Sequence, residues 1–209
     1  MATITQSKET QSVITPAIAL DMLKAGNQRF VNKTPEDRDL HTQMQGTTSG
    51  QWPFAVVLGC IDSRVPVEVV FDQGIGDIFT ARVAGNFVNT DILGSIEYGC
   101  KVAGSKLVVV LGHTSCGAVK GAIDDVKLGN VTELIRSLKP SVAAVETPEG
   151  TDRTSANKTF VKDVVYKNVE LTIENIHQSK QPGQSTFLLL LGMLVHEVFL
   201  VLVVLVELR

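Results

Sequence analysis

The chain has 209 residues, 44% of them hydrophobic and 20% charged, with a formal net charge of −3 at pH 7. That suffices for one good core but not two, and the slight acidity, with no basic run interleaved with aromatics, excludes a nucleic-acid binder and points to a small substrate. Three cysteines cannot pair completely, and no apolar segment follows the polar opening, so neither a secreted disulfide framework nor a signal peptide is expected and a reducing cytoplasm is.

Residues 1–15 read as a flexible N-terminus. Thr15 is an N-cap before Pro16, opening a helix through Val31 with Leu20, Leu23 and Phe30 on one side. Residues 32–51 are polar and read as a loop or short helix. The run Phe54-Ala55-Val56-Val57-Leu58 is the first strand, a short helix opens at Pro66 and ends near Gly74, and residues 78–83 form the second strand. A loop covers 84–90, and residues 91–102 are helical with Gly104 as their stop. The third strand runs over 106–111. Strand and helix in alternation imply an α/β fold, a Rossmann-like parallel β-sheet core flanked by helices, with an N-terminal helical arm.

Residues 116–124 form the next helix, and Asn130 with Glu133 is a capping pair for another that ends at Pro140. A turn-rich stretch at 150–155 precedes a long amphipathic helix over 156–177, in which Phe160, Val161, Val164, Val165, Val169, Ile173 and Ile176 keep helical spacing. The compact domain therefore spans 16–181, and residues 182–209 form an atypical apolar tail. Two apolar runs, 187–195 and 198–206, flank His196-Glu197. Two polar residues at the middle of a membrane span are costly, so buried strands or an aggregation-prone end are preferred to a transmembrane helix.

The informative clusters are Cys60-Ile61-Asp62-Ser63-Arg64 and His113-Thr114-Ser115-Cys116, because each follows an apolar strand through a glycine, Gly59 or Gly112. Both should emerge at the carboxyl edge of one parallel sheet, where open α/β folds place their sites. Cys60, Cys116 and His113 offer two thiolates and one imidazole to Zn²⁺, leaving a fourth tetrahedral position for water or substrate. Two bland alternatives stand beside this: cysteines that are merely buried, or Cys60 as a thiol nucleophile activated by His113, which leaves Cys116 unused. Asp62 and Arg64, two apart, could pair bidentately and hold the carboxylate off the metal, although Asp-x-Arg alone is more often a structural ion pair. Cys100 has no partner cluster and is read as structural.

With these motifs the chain resembles the β-class carbonic anhydrases from about residue 16 to residue 177. The resemblance rests on Cys60-x-Asp62-Ser63-Arg64 and His113-x-x-Cys116, with Phe79, Arg82, Ala84-Gly85-Asn86 and Tyr98 at cleft positions. It implies one Zn²⁺ per chain, reversible hydration of CO₂ to bicarbonate and a proton by zinc-hydroxide attack, and a homodimer or higher even oligomer with the site near its interface. It further implies that Asp62 and Arg64 are catalytic. Gln51 and the N–H of Gly117 would bind bicarbonate, and Phe79, Ala84 and Tyr98 would form an apolar surface for CO₂. Read singly, Gln51 is a loop glutamine, and Phe79, Ala84 and Tyr98 are more often core. Val57 stands where some members carry a tryptophan that helps form an inhibitory bicarbonate site, so a constitutively open site is implied. The apolar tail departs from the family pattern. Alternatives are hydrolysis of COS or CS₂ on the same scaffold, or a zinc-stabilised scaffold protein with impaired catalysis.

Overall fold

The computed structural model describes residues 5–179 and the backbone of 203–206. Its centre is a four-stranded sheet of β1 (Ala55–Gly59), β2 (Ile78–Arg82), β3 (Leu107–His113) and β4 (Val203–Val206), in the spatial order β2-β1-β3-β4. Every described pairing is parallel, with Gly59 in register with both Arg82 and Leu111. All residues of β1 and β3 are buried, which explains why both read as continuous apolar runs: a parallel strand covered on both faces has no polar side.

Alternation along the strands sorts that core into two layers. Ala55, Val57, Leu107, Val109 and Leu111 pack against Leu20 and Leu23 of α2 (Pro16–Val31) and Val67 and Val70 of α4 (Val67–Val70). On the opposite face Val56, Leu58, Val108 and Val110 meet Ile96 of α5 (Thr90–Glu97) and Val169 and Ile176 of α9 (Lys158–Gln178). Beyond the strand ends lies a third apolar cluster. It draws on α6 (Gly117–Ile123), α7 (Gly129–Arg136), α8 (Lys139–Ala144) and α9, and it includes Cys60 and Cys116.

Several local expectations need correction. Within the opening segment a short helix, α1 (Lys8–Val13), starts at a reciprocal capping box of Ser7 and Thr10. Gln11 docks this helix, donating from Nε2 to the carbonyls of Pro53 and Ala103 at 2.8 Å each. The polar stretch after α2 needs no correction, since it contains a short helix, one of its two expected forms, α3 (Leu40–Gly46), capped by Asp39. Phe30 does not share the burial of Leu20 and Leu23 but is 41% exposed.

The helix expected over 91–102 begins one residue earlier and finishes as a π turn, Tyr98–Val102. The widened turn lays Gly99 against β1, where a Cβ would come within 2.5 Å of Val56 Cγ2. Asn130 and Glu133 do not cap α7. Leu128 is its N-cap residue, and the Leu128 amide donates to the Thr132 hydroxyl. Pro140 ends nothing, since it lies in the first turn of α8, where its missing N–H has no intrahelical partner to lose.

The first apolar run of the tail, 187–195, lies outside the described residues. The last four residues of the second form β4, which pairs Val203 with Val110 and Val206 with His113. No helix among the described residues is long and apolar enough to cross a membrane.

Candidate metal centre

Two strand ends and one helix start build the site. Cys60 follows β1 directly, past Gly59, where a Cβ would come within 3.0 Å of Val67 Cγ2. Arg82, at the end of β2, then fixes the departing loop by donating from Nε to the Cys60 carbonyl and from Nη2 to the Asp62 carbonyl, both at 2.7 Å. His113 is the last residue of β3. Thr114 and a left-handed Ser115 (φ 59°) turn the chain so that Cys116 becomes the N-cap residue of α6.

The ligand atoms of Cys60, His113 and Cys116 lie within 4.8 Å of one another, and all three residues are buried. His113 Nδ1 stands 2.9 Å from the Thr114 carbonyl, which assigns the proton to Nδ1 and a lone pair to Nε2. Nε2 is buried and makes no hydrogen bond among the described residues. An unpaired buried acceptor costs about 1–3 kcal/mol, and here it stands beside two sulfurs. Two thiolates and a neutral imidazole with its other nitrogen tied to a carbonyl form a donor set suited to Zn²⁺, so the residues fit that ion.

The three side chains also shift one another's ionisation. The Cys116 thiol beside it lowers Cys60 most; burial opposes this, His113 and the Gly85 and Asp62 amides add to it, and the result is about 4. Cys116 moves up because its proton is held by Cys60, because it is buried, and because Cys60 carries the charge. Burial pulls His113 down, yet the Cys60 thiolate outweighs it and leaves the imidazole raised. The two buried thiols thus shift in opposite directions through the hydrogen bond between them.

Asp62 and Arg64 do pair bidentately, with Nε to Oδ1 at 2.9 Å and Nη2 to Oδ2 at 2.7 Å. The Arg64 bonds hold the carboxyl well below the usual carboxylate range. Asp62 Oδ2 is 3.9 Å from His113 Nε2, so the carboxylate borders the donor group without belonging to it. Ala84 sits in the turn after β2, next to Gly85, whose N–H donates to Cys60 Sγ at 3.3 Å. Gly85 has φ +84°, and a Cβ there would meet Leu138 Cδ1 at 2.7 Å. Gly117, exposed, opens α6 beside Cys116.

Three expected site residues are elsewhere in the chain. Phe79 is in register with Val56, three positions before the Gly59 level, or about 10 Å along the strand. It stacks edge-on against Tyr98 at 6.2 Å. Both line a cavity of about 590 Å³ with Thr80, Asp91 and Ser95, and none of the three donors borders it. Gln51 is exposed and precedes β1, at the opposite end of that strand from Cys60. Cys100, on the π turn, is pushed up to about 12 by burial alone. Sequence reasoning named Gly85 only as a cleft position, without its bond to Cys60, and missed the buried Asn168 and Thr172 of α9, for which the available signal was a polar residue inside an apolar stripe.

A family model described as carbonic anhydrase matches residues 55–186. Carbonic anhydrase 2 of Mycobacterium tuberculosis is 45% identical over 133 residues, which cover 61% of this chain and 64% of that protein. A carbonic anhydrase of Mycolicibacterium smegmatis is 43% identical over 133 residues, 61% of this chain and 65% of that protein. The match therefore spans somewhat less than two thirds of those relatives. Among solved structures, a Coccomyxa β-carbonic anhydrase superposes with a TM-score of 0.64 at 21% identity, covering 90% of this chain and 82% of the other. A tetrameric β-carbonic anhydrase of Sordaria macrospora gives 0.60 at 24% identity, covering 91% and 90%. At those identities the likeness is one of fold.

Proposed function

The chain belongs to the β-class carbonic anhydrase family, and we propose that it interconverts CO₂ and water with bicarbonate and a proton, using one Zn²⁺ per chain held by Cys60, His113 and Cys116. The observation that carries this reading is the buried, unpartnered Nε2 of His113 facing two buried sulfurs. Zinc at that position supplies a Lewis acid that makes water nucleophilic near neutral pH.

The chain's own residues prepare the rest. Asp62, kept ionised by Arg64, acts as the acceptor that orients the attacking water, and Arg64 keeps the carboxylate from swinging into the donor group. Ala84 covers one side of the reacting centre, and the Gly117 amide receives the product anion.

Phe79 and Tyr98 line a cavity that none of their own chain's donors borders, and Gln51 precedes β1 at the end away from Cys60. We assign them to the site of a second copy, which makes a homodimer or higher even oligomer the active form. Three free cysteines suit a reducing cytoplasm. The test is zinc content and CO₂ hydration rate measured on one purified sample. Turnover that scales with zinc supports the proposal, and a fully metallated protein with no turnover refutes it.

A further inference from the structure

Residue 168 interrupts the apolar stripe of α9. Val164, Val165 and Val169 are buried around it, yet Asn168 is only 2% exposed, as is Thr172 one turn later. A polar side chain at that depth is tolerated when its hydrogen bonds are made. Asn168 makes two: Nδ2 donates to the Gly85 carbonyl at 2.8 Å, and Oδ1 accepts from the Ser141 hydroxyl of α8 at 3.2 Å. Thr172 Oγ1 donates to the Asn86 carbonyl at 3.4 Å. One helix therefore holds two consecutive carbonyls of one turn.

That turn needs holding. Gly85 (φ +84°) and Asn86 (φ 41°) are successive residues in the left-handed region, and Asn86 Nδ2, buried, makes no hydrogen bond of its own among the described residues. What the turn delivers is the Gly85 N–H, 3.3 Å from Cys60 Sγ. A path of four groups thus leads from Ser141 through Asn168 and Gly85 to a metal-ligating sulfur.

We propose that Asn168, braced by Ser141 and assisted by Thr172, is a positioning residue for the metal centre: by fixing the Gly85 carbonyl it keeps the Gly85 N–H on the Cys60 sulfur and so tunes the charge that sulfur donates to zinc. This rests on reading Cys60, His113 and Cys116 as a zinc site. An N–H bonded to a thiolate draws charge from it and fixes its lone pairs, which is how groups behind the ligands set metal affinity.

The test compares full-length Asn168→Ala, Ser141→Ala, Thr172→Val and Thr172→Ser with a control, Gln11→Ala. Gln11 is also buried and bonded to two backbone carbonyls, but it serves α1. Zn²⁺ affinity is measured by chelator competition, the thiolate-to-cobalt absorption band is recorded on Co²⁺-loaded protein, and melting temperature is followed in parallel. Asn168→Ala is expected to weaken zinc binding about tenfold to hundredfold and to shift the cobalt band. Ser141→Ala and Thr172→Val should move both readouts in the same direction by less, and Thr172→Ser should restore them. Gln11→Ala should lower the melting temperature without moving either metal readout.

Unchanged zinc affinity and cobalt band in folded Asn168→Ala would overturn the proposal, as would equal changes in Gln11→Ala. If Asn168→Ala does not fold, Ser141→Ala and Thr172→Val decide, and an unmoved cobalt band in both overturns it. A wild-type chain that binds neither metal would defeat the zinc reading itself, whereas normal binding in wild type and every variant defeats only the positioning role.

Discussion

Arg64 grips Asp62 three times, with Nε and Nη2 on the two carboxylate oxygens and its own backbone N–H on Oδ1 at 3.0 Å. The pair is local, two residues apart, and it leaves Oδ2 facing His113 at 3.9 Å. A carboxylate fixed this way can accept a hydrogen bond from a water held at the donor group without becoming a ligand itself.

Asp62→Asn and Arg64→Ala should therefore each lower turnover by about a hundredfold or more while zinc stays bound. Arg64→Lys should not rescue, because an ammonium cannot reproduce the two-pronged bond. Paired zinc content and hydration rates check this, and wild-type rates in either variant would reduce the pair to a structural one. In the unmodified protein the rate should rise from neutral to alkaline pH. Two thiolates would offset the charge of a bound ion and leave its water less acidic than water on a neutral ligand set, while Asp62, held below the carboxylate range, adds no limb there.

Cys60→Ser and Cys116→Ser should lose zinc and activity together, since an alkoxide is not available at neutral pH to replace a thiolate. Metal analysis after desalting reads the outcome. Full occupancy in both variants would rule out this ligand set.

A second ionic cluster, centred on the buried Asp72, adds to stability against acid. Asp72, 7% exposed, accepts from Arg29 and Arg38 and from the Glu36 amide. Burial pushes its pKa up, but those three donors outweigh burial and leave it lowered. A carboxyl depressed on folding adds stability above its unfolded pKa near 4 and loses it as the pH falls toward the folded value. Stability should thus decline below about pH 4. Asp72→Asn should cost on the order of 3 kcal/mol at neutral pH and flatten that decline. Urea midpoints measured from pH 3 to 7 test both parts.

Much of this was readable from residue types. Continuous apolar runs identified β1 and β3 because both faces of each are covered, and the placement of Cys60 and His113 just past those runs exposed the donor set. The π turn at Tyr98 was not readable, since it depends on Gly99 lying against Val56. Nor was the break between α7 and α8, where Pro140 starts a helix that it was expected to end. The bond between Asn168 and Gly85 joins residues 83 apart in the chain, and only the packing of α9 brings them together. Gln51, Phe79 and Tyr98 were grouped with Cys60 by resemblance, while the register sets Phe79 back along the strand, Tyr98 stacks on Phe79, and Gln51 precedes β1. The tail read as buried strands or an aggregation-prone end without a partner, and in the fold Val206 pairs with His113 at the end of β3.

That separation gives a mixed-subunit prediction. If Gln51 serves the other copy, a dimer of one Gln51→Ala subunit and one Cys60→Ser subunit has one site with both defects and one with neither. Random mixing of two weakly active variants should then restore about a quarter of wild-type activity, because half the dimers carry one intact site. No recovery above the parents would mean that Gln51 does not act across the interface.

The most direct test is a zinc titration. Protein stripped of metal by a chelator should be inactive in CO₂ hydration, and added Zn²⁺ should restore the rate linearly up to a break at about one equivalent per chain. A stripped protein that retains its rate, or one that takes up a full equivalent of zinc without gaining any, would contradict the assignment of Cys60, His113 and Cys116 as a catalytic centre.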